Sequence, residues 1–256
     1  MMSIDINCDM GESYGRYELG HDEMMIEYIS SANIACGFHA GDCITMRKTV
    51  RLCLGAGVAI GAHPGYPDIQ GFGRRSIQYT PEEIYTMVLY QTGALKSIAG
   101  SEGGVLRHVK PHGAMYNDAA RDSEAALAIA EAVRRAGDDI ILLCLHGSLM
   151  EQAAIKSGIR FASEAFADRQ YNSDGKLVPR SEKGSVISNP SVCAARTISI
   201  AVEKRIVSSD GSYLHLNADS VCVHGDTQGA VDIARAINDI LSVNGVPVKP
   251  FTGRRQ

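Results

Sequence analysis

The sequence predicts an α/β fold: a single domain over residues 1–256, built as a seven-stranded parallel β/α barrel with two small hairpin insertions. Three observations carry that expectation. Short β-rich runs alternate with longer segments of helical period throughout the chain. The units resemble one another and no linker separates them, which favours one closed or nearly closed barrel over two lobes or an open sheet. Inside the strand candidates, apolar residues alternate with small or polar ones, as expected where helices cover one face and the barrel interior lies behind the other.

The strand candidates, in order, are Ser3–Cys8, Ala32–Cys36, Val58–Ala62, Leu106–Lys110, Ile140–Leu145, Ile159–Ala165 and Ser220–His224. Between them the helical period predicts His21–Ser30, Ile44–Ala56, Pro81–Ala99, Ser123–Ala136, Leu149–Ser157, Val192–Val207 and Gln228–Val243. Boundary residues agree. Thr80-Pro81-Glu82-Glu83 reads as an N-cap, a proline at the first helical position and two acids in the first turn. Asp122-Ser123-Glu124 opens the next helix, and Gly137 closes it. Tyr171–Pro179 and Ile206–Leu216 each carry Asp-Gly between β-prone residues, the signature of a hairpin.

In Ile4–Asp9, Ile4, Ile6 and Cys8 face one way while Asp5, Asn7 and Asp9 face the other. His108, Lys110 and His112 share a face in the same manner. Gly61 and His63 oppose Val58, Ile60 and Ala62. A barrel interior holding Asn7, Asp9, His63, His108 and Lys110 would cost several kcal/mol for each group left without a partner. The alternation therefore predicts a wet, polar cleft near the strand ends, where parallel β/α folds place their active sites.

Composition sets limits. With 45 % apolar and 21 % charged residues the chain can bury a full core. A net charge of −4, from 25 basic and 29 acidic residues, gives no reason to expect nucleic acid or an anionic membrane. Seven cysteines without a CxxC, with Cys8, Cys36, Cys144 and Cys222 in apolar runs, read as small core residues. The stretch MMSIDINCDM has no apolar signal region and IILLCL is too short to span a bilayer, so a cytoplasmic location is expected.

The strand ends read INCDMGES, IACGFHAGD, IGAHPGYPD, HVKPHGAMYN, LCLHGS, EAFADR and CVHGD, nearly all delivering an acid or a base. Asp9 and Glu12 suit the cleft, against a plain helix-capping reading. His39 and His63 fall on glycine-rich turns, and Asp42 suits an N-cap of the Ile44 helix. His146 fits the core, His21 a helix start and His215 a hairpin. Glu164 and the pair Asp168-Arg169 follow a largely apolar strand; the alternative is an ion pair closing a loop. Arg74 and Arg75, in GFGRR, suit an anion clamp or a solvated loop. No GxxxxGK[ST] occurs, so any nucleotide must bind without a P-loop. These residues support three chemistries: water activation by a divalent metal on Asp9, His39 and His63; general base catalysis by Asp9 or Glu164 with Lys110 or a histidine on an oxyanion; or neutralisation of a phosphoryl group by Lys110 and arginines. Taken alone they favour a hydrolase acting on a small polar substrate.

Several long motifs in order narrow this: DINCDMGESYG, NIACGFHAGD, AHPGYPDIQGFGRR, HVKPHGAMYN, EAFADRQY, LVPR and CVHGDT. On these the chain resembles the LamB/YcsF family of 5-oxoprolinase A subunits over almost its whole length. The resemblance implies an irregular TIM-like barrel of the glycoside hydrolase/deacetylase type. It also implies ATP-dependent opening of 5-oxo-L-proline to L-glutamate, with magnesium accompanying ATP and 5-oxoprolinase subunits B and C as partners. In that chemistry Lys110 and Arg169 would face the phosphoryl group or oxyanion, and Asp9 or Glu164 would activate water. Asn7, His63, His112 and His224 would orient the substrate, with Glu12, His39 and Asp168 beside them. Arg74 and Arg75 would approach the nucleotide or the substrate carboxylate. Two other functions remain open at this point: a deacetylase-like, metal-dependent amide or ester hydrolase that needs no ATP, and a non-catalytic, substrate-binding member of a complex.

Overall fold

Seven strands close into one parallel barrel in the computed structural model of the chain, which describes residues 3–225 and 229–254. They are β1 (Asp5–Met10), β2 (Ser31–Ala35), β3 (Ala59–His63), β4 (Leu106–Val109), β5 (Ile141–Leu145), β6 (Arg160–Phe166) and, after an excursion, β9 (Ser220–Val223), which pairs with both β6 and β1. Their outer residues, Ile6, Cys8, Ile34, Ile60, Val109, Leu142 and Val221 among them, join the buried core beneath the helices. The helices are α1 (Asp22–Met25), α2 (Cys43–Ala56), α3 (Pro81–Ser101), α4 (Gly113–Ala119), α5 (Ser123–Ala136), α6 (Leu149–Lys156), α7 (Pro190–Ile198) and α8 (Ala230–Val243). The expected caps form. Thr80 and Glu83 make a reciprocal capping box on α3, Asp42 caps α2, and Asp122 caps α5.

Several boundaries differ from expectation. Strand β1 starts two residues later than Ser3 and runs through Asp9, so the carboxylate sits on the strand itself. The helix expected over His21–Ser30 shrinks to α1 and a 3-10 turn at Ile26–Tyr28. Ser30 is needed elsewhere: its hydroxyl donates to Asp5 and accepts from the Ile6 amide, which turns the chain into β2. Helix α4 is an addition to the expected elements, because its seven residues fall below the length at which helical period is readable. The single helix expected over Val192–Val207 is three elements: α7, a wider π-type turn at Ser199–Glu203, and β7 (Arg205–Val207). Lys204, at φ 55°, makes the break. β7 pairs antiparallel with β8 (Tyr213–His215), which is the hairpin expected over Ile206–Leu216. The other insertion, Tyr171–Pro179, is a tight turn with one antiparallel bridge between Tyr171 and Leu177. Gln228 at the start of the last expected helix, and Asp226 and Thr227 at the end of the CVHGDT motif, lie outside the described residues.

The barrel interior is polar, as the alternation requires, and in its lower part the polar groups bond chiefly to one another. Asp5, Asn7, Ser31, Asn33, His108, Glu164 and Ser220 are all buried and hydrogen-bonded among themselves, although His108 Nδ1 is left without a partner among the described residues. Asp5 accepts from Ser30 and Ser31 at 2.6 Å each, and from Ser220. The cost of burial is largely offset by these internal hydrogen bonds. Below them lies a small apolar layer of Ile141, Leu143 and Ala162, packed on Phe251 from the C-terminal segment. Arg254 fixes that segment by exchanging backbone hydrogen bonds with Phe161 at 2.7 and 2.9 Å. Gly61 is required by the same packing, since a Cβ there would overlap the His108 imidazole.

Two outcomes follow. Gly61→Ala is expected to displace His108 and cost about 1–3 kcal/mol, whereas Gly55→Ala on α2, where a Cβ meets nothing within 4 Å, should be neutral or stabilising; urea titrations decide. Burial pushes the Asp5 carboxyl up to about 6 from 3.8, against the hydrogen bonds of Ser220, Ser30 and Ser31. The folded chain then holds a proton that the unfolded chain releases, so this site's contribution is full below pH 3.8 and lost as pH rises through 6. Asp5→Asn should therefore gain on wild type by up to about 3 kcal/mol between pH 4 and pH 7. A pH-independent difference between the two would refute the raised pKa.

Candidate active site

The carboxyl ends of the strands surround Lys110, which is 3 % exposed. It lies one residue past β4, and its backbone amide still donates to Ala62 at 2.9 Å, which keeps the side chain on the inner face. The ammonium donates to Asp9 Oδ1 at 3.1 Å, contacts Glu164 Oε1 at 2.9 Å and reaches Asn7 Oδ1 at 3.2 Å. It also contacts Cys222 Sγ at 3.1 Å. Cys222 is therefore more than the inert core thiol its apolar run suggests; it points inward because it alternates with Val221 and Val223 on β9. Burial opposes the charge on Lys110, but Asp9, Cys222 and Glu164 outweigh it and hold its pKa well above the usual value.

Both carboxylates are fully engaged. Asn33 Nδ2 donates to Asp9 Oδ1 at 2.8 Å and to Asn7 Oδ1 at 2.7 Å; Asn7 Nδ2 donates to Glu164 Oε1 at 2.8 Å. Burial raises the Asp9 pKa, but His63 and Lys110 overcome it and hold the carboxyl well below the usual range. On the far side of Glu164, the Tyr116 hydroxyl donates to Oε2 at 2.8 Å. Tyr116 is not among the residues the sequence singles out. It stands four residues after His112, a helical spacing that becomes informative only once α4 is known.

A second dyad stands across the cleft. His224, one residue past β9, directs Nδ1 at both Asp168 oxygens, 2.9 and 3.0 Å away, and its backbone amide donates to the same carboxylate at 3.1 Å. A carboxylate only accepts, so Nδ1 carries a proton and Nε2 is the ring nitrogen turned away from Asp168. Burial raises the Asp168 pKa, but His224 outweighs it and holds the carboxyl below its ordinary value. The His224 ring stacks on Phe166 at 5.6 Å, and the same phenyl ring lies 5.5 Å from the Lys110 ammonium. The alternative reading, in which Arg169 closes the loop by an ion pair with Asp168, is not what the contacts of Arg169 show. Arg169 donates to the Val178 carbonyl at 2.7 Å and the Ser185 carbonyl at 3.4 Å, and burial pulls its pKa down to about 10.

The third group is histidine-rich. His112 caps α4 instead of ending a strand, and its ring stacks face to face on His39 at 3.7 Å. His63 meets both edge-on. His63 Nε2 lies 3.3 Å from Asp9 Oδ2, and His39 Nε2 lies 3.6 Å from Glu12 Oε1. Burial pushes the pKa of His39 and His112 well below the usual value. Donor atoms of Glu12, His39, His63 and His112 converge within 4.8 Å of one another; Asp9 lies outside that cluster and converges with Cys222 and His224. The trio Asp9, His39 and His63 expected as metal ligands is thus divided between two clusters.

Around these groups lies a cleft of about 530 Å³. Six cations line it, Arg74, Lys110, Arg121, Arg169, Lys176 and Arg180, against two carboxylates, Asp9 and Asp118. Arg74 sits 4.8 Å over the Phe72 ring. Arg75 is paired in a bidentate manner with the buried Asp68, which fixes the GFGRR loop. Asp42 serves as the α2 N-cap and also accepts from the Gly15 amide at 2.8 Å. His146 lies 3.6 Å from Glu151, outside the cleft lining. Among the described residues no helix is long and apolar enough to cross a membrane.

The LamB/YcsF family model matches residues 4–256. The A subunit of 5-oxoprolinase from Brevibacillus brevis is 47 % identical over 248 residues, 97 % of this chain and 98 % of that one. The corresponding 5-oxoprolinase A subunit from Natranaerobius thermophilus is 48 % identical over 257 residues, 99 % of this chain and 100 % of that one. Among solved structures, a lactam utilization protein from Thermus thermophilus superposes with a TM-score of 0.93 at 45 % identity, over 98 % of this chain and 100 % of that one.

If Lys110 compensates the buried carboxylates beside it, Lys110→Met should cost about 3–5 kcal/mol. Adding Glu164→Gln removes one of the stranded charges, so the double variant should be less destabilised than the sum of the singles. Strict additivity in a denaturation cycle would show that the Lys110–Glu164 pair contributes nothing.

Proposed function

The chain belongs to the LamB/YcsF family, and from this premise we propose that it opens the lactam ring of 5-oxo-L-proline to give L-glutamate, coupled to conversion of ATP to ADP and phosphate, in a complex with 5-oxoprolinase subunits B and C. The observation that carries the reading is the basic cleft: six cations gather there in a protein of net charge −4. A substrate carboxylate and a phosphoryl group both need cations, and arginine binds such anions in a bidentate manner.

A lactam is a poor electrophile, because attack must break amide resonance. ATP, accompanied by magnesium, would supply a phosphoryl group for the lactam oxygen, which makes the ring carbon a better acceptor for water; the overall change consumes two waters, breaks the ring C–N bond, gives its nitrogen a proton and releases phosphate. This chain's residues perform the remaining tasks. Lys110, fixed by Asp9 and Glu164, presents one positive charge to the oxygen on which negative charge develops. Asp9 is held ionised, which makes it a weak proton acceptor and a good holder of Lys110 and His63. His224, oriented by Asp168, takes the proton from the attacking water, in the way a histidine–carboxylate pair orients and activates a nucleophile. Arg74, Arg169 and Arg180 hold the anionic ends. Phe166, beside both Lys110 and His224, excludes water from one side of the reacting centre.

The experiment is glutamate and ADP formation from 5-oxoproline and ATP by the purified chain, with and without subunits B and C. Coupled products are expected from the mixture. There, His224→Asn should lower kcat by about 10²–10⁴-fold with little change in KM, and Arg180→Ala should mainly raise KM. No glutamate from an assembled mixture would sink the reading. Glutamate formed without ATP consumption would assign the chain to ATP-independent amide hydrolysis.

A further inference from the structure

Asn33, on β2, stands between two buried acceptors. Its Nδ2 lies 2.8 Å from Asp9 Oδ1 and 2.7 Å from Asn7 Oδ1. The Asp9 carboxylate only accepts, so the group facing it is the amide NH₂, and both of its protons are used. The Asn33 carbonyl then points the other way, where it meets His108 Nε2 at 2.8 Å. A carbonyl only accepts, so His108 Nε2 carries a proton. Burial and the Lys110 charge hold the His108 pKa down to about 3, so the ring is neutral and Nδ1 is bare. Nδ1 has no hydrogen-bond partner among the described residues. The ring is held from two sides. A Cβ on Gly61 would overlap it, and Phe251 meets it edge-on at 5.1 Å. His108 is fully buried and forms no part of the cleft lining, so it acts only through other residues.

We propose that His108 is a positioning residue for the reaction: by donating to Asn33 it fixes the amide that holds Asp9 and Asn7 around Lys110. The two oxygens that receive the Asn33 protons are the same two that receive the ammonium, Asn7 Oδ1 at 3.2 Å and Asp9 Oδ1 at 3.1 Å. The hydrogen bonds run in one direction. His108 donates to Asn33, Asn33 donates to Asp9 and Asn7, and Asn7 Nδ2 donates to Glu164 at 2.8 Å and Ser220 at 2.7 Å. Reversing any member sets two donors or two acceptors against each other, and in a buried network such a mismatch is costly. Without the His108 proton the Asn33 carbonyl is left unpaired in the barrel interior. The amide then gains by turning, and turning aims its carbonyl at the Asp9 carboxylate. Asp9 and Asn7 lose their common anchor and the ammonium between them shifts. A displacement of about 1 Å in a group that acts on developing charge can cost on the order of 10²-fold in rate.

The kinetic part of the test rests on the lactam reading, and the spectroscopic part does not. In the ¹⁵N-histidine-labelled chain, the His108 signals are identified by their loss in His108→Gln. They are expected to show a protonated Nε2 and a bare Nδ1 between about pH 5 and pH 9. In the ¹⁵N-lysine-labelled chain, His108→Leu should shift the Lys110 ammonium signal. His108→Gln, whose amide can donate to the same carbonyl, should leave that signal near its wild-type position. In the assembled mixture with subunits B and C, His108→Leu should lower kcat about 10–100-fold. KM for 5-oxoproline should stay within about twofold, because the cationic rim is untouched, and His108→Gln should recover most of the loss. His108→Met, apolar and flexible enough for the same space, gives the same test should His108→Leu fail to fold. A His108 protonated at Nδ1, or a Lys110 signal unmoved by the apolar variant, would overturn the proposal. Equal loss of kcat in the Gln and apolar variants would also overturn it, by assigning His108 to packing alone. A wild-type mixture that makes no glutamate would sink the lactam reading and leave the two spectra to decide on His108.

Discussion

The structure depends on one buried ammonium. Lys110 stands among the carboxyl ends of the barrel strands, and desolvating it without partners would cost more than most single contacts return. Asp9 from β1 and Glu164 from β6 flank it, and each then needs further donors. Asn33 from β2 serves Asp9, Tyr116 from α4 serves Glu164, and Asn7 bridges the two halves. One charge thus dictates the inward residues of strands β1, β2 and β6, and of the segment that follows β4. A network in which each member satisfies another admits few substitutions, since any gap leaves a buried polar group unpaired.

The same residue links this network to the histidines. Its carbonyl receives the His63 Nδ1 proton while its ammonium holds Asp9, which in turn faces His63 Nε2. The position of Lys110 therefore sets both the charge beside Asp9 and the orientation of the His63 ring. The glycines of the β3–α3 connection allow His39 and His112 to stack within the space that remains. The chemistry of the pocket follows from backbone geometry as much as from the side chains it displays.

Much of this is legible in the sequence, for a definite reason. A barrel strand has two faces, so period-two alternation reports which residues point inward, and Asn7, Asp9, His63 and Lys110 stand out in that way. Histidines and acids at or just past strand ends locate His39, His112, Glu164, Asp168 and His224. What stays hidden depends on contacts between segments distant in sequence. Nothing local says that Cys222 touches Lys110, or that Phe251 and Arg254 pack against the amino end of the barrel. Helix α4 is invisible because seven residues opening on a glycine at positive φ carry little periodicity, and Tyr116 is hidden with it. The π-type turn after α7 is masked by a composition that remains helical.

The two ends of the barrel divide the work. At the amino end, Asp5 bonds to its serines and the apolar layer packs on Phe251, so this half is held together by its own contacts. At the carboxyl end, Lys110, Asp9 and Glu164 are already satisfied, yet arginines from separate loops line the cleft above them. A cationic rim over a saturated floor creates a field pointing one way, and an anionic ligand is the species that completes it. The floor's hydrogen bonds also mean that Lys110 need not reorganise as charge develops beside it, and such preorganisation is what makes a fixed charge effective in a site from which water is excluded.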